Sequence, residues 1–427
     1  MIFCGATMYS ADAHDRRSSA RLDGGPLPKV ARSFGAGPES LRRRNMALVA
    51  RTLLHRGAQA RSEIAQATSL SATSVTKITA QMAGARMLVE LSAVAGGDIG
   101  RPRVPMVLDT SYHRFAGIHI GLRRTTGGLL DLAGNVVAAH AVTHRGRTQT
   151  AILDEARDLR DHLTALAGGP ERILGTGVAT GGRVDPDAGV VVDHPLLGWR
   201  DVRLADELGS DNQPVFVDSS VRAMALAETY LGVARDTSSS LFLFIGNIVG
   251  AGLMDNGRLR LGHDAAAGTI DHLPLGRTVE GTRCRCGRSD CLAALASDVA
   301  VLERARQAGI VPPHASFESL VAKSRSGSAD AAALLRERAE DVGIAAGILL
   351  DLLDPVLLIL GGGLLQTPEY LDALRVAAAD RLSRPEAAER IVPTGLGEGS
   401  LIRGSGSLPL HAFFSDPVSM LRTSAGG

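Results

Sequence analysis

The chain has 427 residues, 45% of them hydrophobic and 21% charged, which is enough for two or three domains with large packed cores. Four cysteines in such a length exclude a disulfide scaffold, and no apolar run approaches the roughly 18–20 residues of a membrane span. The net charge of +1 hides a division, because residues 1–110 carry 15 Lys and Arg against 8 Asp and Glu while the remainder carries 31 against 37. A basic front end on an acidic body suits a polyanionic partner for the front part. Arginine outnumbers lysine 43 to three along the whole chain, a bias of composition rather than a binding signal. Free thiols and the lack of a basic-then-apolar leader pattern fit a cytoplasmic protein.

Residues 1–37 are rich in Arg, Ser, Gly, Ala and Pro without apolar periodicity, and predict a disordered arm. A compact unit is expected over 38–110. Met46, Val49, Leu53 and Leu54 recur at helical spacing and stop at Gly57. A second short helix carries Ile64 and Ala65. Ser71 is placed to cap a third, with Val75, Ile78 and Met82 on its inner face. The other face offers Thr73, Ser74, Thr76 and Lys77, all small or hydrogen-bonding. Strands over 87–91 and 104–108 flank a turn with Gly96, Gly97, Gly100 and Arg101. Three short helices and such a hairpin predict a winged helix-turn-helix. In it Ser71, Thr73, Ser74, Thr76 and Lys77 would meet the major groove, and Arg101 the minor groove or phosphates. An ordinary three-helix bundle with a hairpin is the alternative.

After Asp109 strands, glycine turns and helices alternate, which predicts a mixed α/β body in two similar lobes over 111–415. The first spans about 111–232 plus a C-terminal helix, the second about 233–400, and 416–427 reads as a flexible tail. Expected strands include 115–120, 126–132, 136–142, 174–179, 215–217, 241–245 and 356–360. Expected helices include 148–167, 297–308, 316–323 and 328–353.

Cys284, Cys286 and Cys291 fall within eight residues, and His272 lies twelve residues upstream of the first. Thiolates suit zinc, and a closed structural site takes four ligands. These four residues therefore form the candidate metal set, against the plainer reading of three reduced thiols in a loop.

The assembled stretches, from about 40 to 415, resemble the ROK family of repressors and sugar kinases. Residues 61–75 look like its helix-turn-helix core and Gly100-Arg101-Pro102 like its wing signature. Gly268-Thr-Ile-Asp-His272 with the Cys-x-Cys cluster is similar to its zinc motif. The run from Asp354 to Gly363 is similar to its late phosphate loop. The resemblance implies an N-terminal winged helix-turn-helix on an actin-like, sugar-kinase-type body, with a structural Zn²⁺. It also implies a homodimer or tetramer on double-stranded operator DNA, without a membrane. A sugar or sugar-phosphate effector would lie between the lobes against Ser219, Ser220, Thr269 and His272.

Departures from the kinase pattern point away from catalysis. Ser219 and Ser220 stand where the family's kinases carry Asn-Asp, and a serine hydroxyl is no base at neutral pH without help. Thr269 and Ala293 stand where they carry glutamates. Leu122 and Arg123 sit in the first phosphate loop, where bare backbone should approach a nucleotide. The expectation is a regulator, a repressor of carbohydrate-related genes, with a kinase-dead effector domain. The alternatives are a regulator that answers to a protein partner or other ligand, and, further off, an active ATP-dependent sugar kinase.

Overall fold

The structure is a computed structural model that describes residues 37–92, 103–209 and 213–425. The arm expected over 1–37 falls almost wholly outside the described residues, as does Arg101.

The head is built from α1 (Pro38–Arg56), β1 (Gln59–Ala60), α2 (Arg61–Thr68), α3 (Ala72–Gly84), β2 (Leu88–Glu90) and β3 (Pro105–Leu108). Helix α1 stops at Gly57, whose φ of 69° only glycine adopts without strain. Glu63 accepts from the Ala60 amide at 2.7 Å to start α2, and Ser71 caps α3 through the Ser74 amide at 3.2 Å. The three short strands pair antiparallel in the order β1-β3-β2. Met46, Val49, Leu53, Ile64, Val75 and Met82 are each at most 2% exposed and fill the space between the helices and this sheet.

The head is fastened to the body at two places. Its α3–β2 turn meets the start of the body, where the His113 ring bonds the Ala85 carbonyl at 2.9 Å. There Arg86 and Arg172 also stack on the Tyr112 ring, at 4.4 and 5.0 Å. Helix α1 packs on the end of the chain, described below.

The first lobe comprises β4 (Arg114–Ile120), β5 (Arg124–Leu130), β6 (Val136–Thr143), α4 (Gln149–Ala167), β7 (Ile173–Thr180), β8 (Arg183–Asp185), β9 (Val190–His194), β10 (Trp199–Val202), α5 (Leu204–Leu208), β11 (Val215–Ser219) and α6 (Ser220–Leu231). Its main sheet runs β11-β7-β4-β5-β6, an antiparallel meander extended by two strands parallel to β4. The small β8–β9–β10 sheet has no counterpart in the sequence reading.

The second lobe repeats the scheme with β12 (Ser239–Ile245), β13 (Val249–Asp255), β14 (Arg258–Leu259), α7 (Leu292–Ala296), α8 (Asp298–Gln307), α9 (Phe317–Arg325), α10 (Ala329–Leu353), β15 (Leu357–Gly362), α11 (Leu371–Ala379) and β16 (Ile391–Pro393). Its sheet order is β14-β13-β12-β15-β16, again a meander plus two strands parallel to the first. The unbroken apolar runs of β12 and β15 follow from burial on both faces.

Helix α12 (Ser400–Ser415) returns to the first lobe. It lies so close to the sheet that a Cβ on Gly177 would collide with the Ser405 carbonyl. The sequence reading of 416–427 as a flexible tail is corrected here: Pro417–Ala425 form helix α13. Its Val418 and Met420 are buried, and the Arg43 guanidinium of α1 bonds Asp416 at 2.9 Å and Ser419 at 2.7 Å. The segment is short and has only Val418, Met420 and Leu421 as large apolar residues, so its order comes from tertiary packing rather than from its own pattern.

The two chain crossings between lobes meet at Glu228 near the end of α6. This fully buried carboxylate accepts from the Val233 amide at 2.8 Å, the Gly395 amide at 3.2 Å and the Thr394 hydroxyl. Burial pushes its carboxyl above the usual range, and the three donors oppose that.

Candidate effector cleft and metal centre

A cleft of about 590 Å³ opens between the lobes, within the size range of small-molecule sites. The first lobe contributes Gly182 and Arg183 after β7, His194 at the end of β9, and Ser219 and Arg222 where β11 turns into α6. The second contributes the Asn247–Ala251 turn, the 265–272 loop, the cysteine loop and the start of α8.

Of the four residues expected on an effector, Ser219, Thr269 and His272 line this cleft. Ser220 does not. Ser219 takes the cap of α6, receiving the Arg222 amide at 3.4 Å, so Ser220 is the first helical residue. It is 4% exposed, and its Oγ has no partner among the described residues. The expectation that Ser220 faces the ligand is therefore corrected: capping geometry turns it into the interior.

Arg222 was not singled out by the sequence. Its guanidinium bonds Asp218 at 2.6 Å and the Val184 carbonyl at 2.6 Å within the first lobe, and it reaches the Ala265 carbonyl of the second at 2.7 Å. It is thus a tie across the cleft floor. Burial raises the Asp218 carboxyl while Arg222 pulls it down. An arginine inside the Ala-rich run of α6 is the one sequence signal that marks it.

His194 is 2% exposed and lines the cleft. Its Nδ1 accepts from the Leu197 amide at 3.3 Å, which leaves the proton on Nε2 in the neutral ring. Burial lowers its pKa below the usual histidine value, so neutral is the form at physiological pH.

At one end of the cleft the donor atoms of His272, Cys284, Cys286 and Cys291 all lie within 4.8 Å of one another. His272 Nδ1 is 3.2 Å from Cys284 Sγ, and Cys286 Sγ is 3.4 Å from Cys291 Sγ, close to the ligand–ligand spacings of about 3.3–3.8 Å that tetrahedral zinc imposes. The other ring nitrogen, Nε2, faces the Asp271 carboxylate at 3.4 Å, the outer contact that orients many metal-bound imidazoles. A hydrogen bond from the Arg288 amide draws the Cys286 thiol down to about 6, whereas burial pushes Cys291 up to about 12. A bound cation would hold both as thiolates. The donor set and its spacing fit zinc.

In the head, Ser71, Thr73, Thr76 and Lys77 are exposed and Ser74 is half-buried, while Val75, Ile78 and Met82 face inward. Ser71 Oγ donates to Ser74 Oγ at 2.9 Å, and Thr76 Oγ to the Ala72 carbonyl at 2.9 Å.

Residues 115–411, from β4 into α12, match the model of the ROK family. The chain belongs to the ROK family. Transcriptional regulator Mb0495 of Mycobacterium bovis is 34% identical over 398 residues, covering 88% of this chain and 87% of that one. The DNA-binding transcriptional dual regulator NagC of Escherichia coli is 26% identical, over 77% of this chain and 82% of its own. Among solved structures, a ROK family transcriptional regulator described as a homologue of the E. coli MLC protein superposes with a TM-score of 0.75 at 22% identity. That superposition covers 91% of this chain and all of the other, so the shared fold includes the head as well as the actin-like ROK body.

Proposed function

We propose that this ROK protein is a DNA-binding transcriptional regulator, acting as a repressor of carbohydrate-related genes, and that its body senses a ligand without phosphorylating it. The observation that carries the reading is the outward polar face of α3, fixed to a kinase-like body that has no base at Ser220. In this reading the head is a winged helix-turn-helix. Thr73, Ser74, Thr76 and Lys77 enter the major groove, Ser71 closes the turn before them, and Arg101 on the wing contacts the flanking backbone. The regulators and repressors among the relatives support it. Two copies would present two such helices to a near-palindromic operator.

Zinc is structural in this reading. Held by His272, Cys284, Cys286 and Cys291, it would fix the loop that forms one wall of the cleft. A ligand bound between the lobes acts by favouring one lobe arrangement over another. With α1 packed on α12 and α13, a shift in the first lobe carries the head with it.

The test is selection of genomic fragments by the full chain, followed by titration of the selected DNA. Thr73→Ala with Lys77→Ala should abolish selective binding while leaving the fold intact. Removing the whole head would instead strip the cover from α12 and α13 and confuse the result. Equal affinity of the double variant and the unmodified chain for the selected fragment would overturn the reading.

A further inference from the structure

The cleft has polar lining at Asn247 and Thr269 but is short of free carboxylates for a sugar. A hexose needs polar side chains free to meet its hydroxyls, and carboxylates are the strongest acceptors for them. Three carboxylates line the cleft, and each lies beside a cationic side chain, while Asp271 Oδ1 is buried without a partner among the described residues. Asp271 faces His272 at 3.4 Å and Arg285 at 3.1 Å. Glu303 lies 3.6 Å from Arg306 and accepts from Gln307 at 3.1 Å. Asp193 lies 3.9 Å from Arg200.

The cations are distributed differently. Arg183 and Arg283 line the cleft and have no ion pair among the described residues, although Arg183 stands opposite Asp193 in the β8–β9 pairing. His194 adds a buried Nε2–H donor on the first-lobe wall. Much of the remaining lining is apolar: Leu196, Val221, Ile248, Val249, Ala293 and Val299. Leu196 and Val299 are 50% and 51% exposed, large side chains open to water in a concave site. A ligand's apolar body would cover them.

We infer that this cleft binds a small organic anion with an apolar body, a carboxylic acid rather than a sugar. Arg183 and Arg283 receive its charge, His194 donates a hydrogen bond, and the apolar walls take its hydrocarbon part. The inference rests on the regulator reading above, because the ligand is the effector of that regulator. The bidentate geometry that guanidinium offers a carboxylate gives the site its discrimination against neutral analogues.

The chain has one tryptophan, Trp199, whose ring centroid lies 6.4 Å from that of His194, so its fluorescence reports on this wall. The full-length, metal-loaded protein is titrated with octanoate and phenylacetate, with octanamide as the neutral match, and with glucose and glucose 6-phosphate. Calorimetry provides the second readout. At least one carboxylate should saturate the site and bind tenfold or more tightly than octanamide. Arg183→Ala with Arg283→Ala should weaken it at least tenfold, and Leu196→Ser several-fold. The inference is overturned if glucose or glucose 6-phosphate saturates where both carboxylates do not. It also falls if octanoate and octanamide bind alike, or if neither carboxylate binds. DNA binding of the same preparation is measured in parallel: intact DNA binding without carboxylate binding sinks this inference alone, and lost DNA binding sinks the regulator reading.

Discussion

The Asp298 carboxylate bonds the Arg338 guanidinium inside the second lobe, next to two glycine loops. The Asp298 amide donates to the Gly246 carbonyl at 2.9 Å, and a Cβ on Gly363 would strike its carboxylate. Arg338 is fully buried, with Phe317 against its face at 4.6 Å. Burial pushes the carboxyl up and the guanidinium down, and each partner opposes the other's shift. Removing one member leaves a buried charge alone, so Asp298→Ala should cost about 3–5 kcal/mol of stability. Asp298→Ala with Arg338→Met should recover most of it. Chemical denaturation of the three proteins checks this, and additive losses would refute the coupling.

The same pair bears on nucleotide binding. In the proposed reading the turn around Gly246 and the loop at Gly363 stand where a kinase body would have phosphate loops, and the Asp298 carboxylate, paired with Arg338, fills the space between them. In that reading Ser220, buried behind the cleft, replaces a catalytic carboxylate, and losing a positioned base forfeits roughly 10²–10⁴-fold in rate. The chain should show no sugar-dependent ATP turnover, and millimolar ATP should not raise its melting temperature. Ser220→Asp alone should not change either result. Turnover above that of a Cys286→Ser control would refute this.

Lys77 is the clearest probe of the head. It is exposed on α3 beside Thr73 and Thr76, so its ammonium can reach a phosphate without disturbing the core. Lys77→Ala should weaken binding to all DNA sequences alike and reduce the salt dependence by about one ion. An unchanged slope of log affinity against log salt would show that Lys77 lies off the DNA.

How much of this was legible in the sequence depends on the range of the interaction. Ser71 declared itself as a cap three residues before its partner, Leu241–Ile245 as a buried strand, and the cysteine loop as a metal set, because each rests on neighbours in the chain. Arg222 did not, since its carbonyl partners Val184 and Ala265 lie 38 and 43 residues away. Helix α13 did not, since Arg43, the partner of its Ser419, is 376 residues distant. Ser220 was misplaced by one position for a local reason: either of two adjacent serines can cap a helix, and only the backbone decides which one turns inward.

Metal analysis of the purified full chain should find one zinc per chain, retained when Cys4 is replaced. Cys286→Ser should lose it, because three remaining ligands hold a structural ion poorly and binding free energy is folding free energy at such a site. A chelator should lower the melting temperature of the unmodified chain and leave Cys286→Ser unmoved. Protein isolated at neutral pH without bound metal would contradict the assignment.

Stability should fall on mild acidification, and two histidines set the window. His411 in α12 is held down to about 4 by burial, with Arg51 of the head adding to the effect, and its Nδ1 meets the Tyr230 hydroxyl at 2.9 Å. Burial pushes Tyr230 up to about 12, so it remains the donor in that bond. His119 is likewise lowered to about 4 by burial, Arg124 and His194. Both folded values lie below the unfolded value of about 6.5. The unfolded chain therefore takes up protons as pH drops through 6.5 while the folded chain does not until about 4. Stability contributed by the neutral rings is complete above pH ~6.5 and is lost progressively below it, by roughly 2 kcal/mol per histidine at pH 5. His411→Gln should flatten the pH dependence of the melting temperature between those limits, since glutamine can still accept from Tyr230 but does not titrate. A variant whose profile tracks the unmodified chain throughout that range would show that His411 is not protonated differently in the two states.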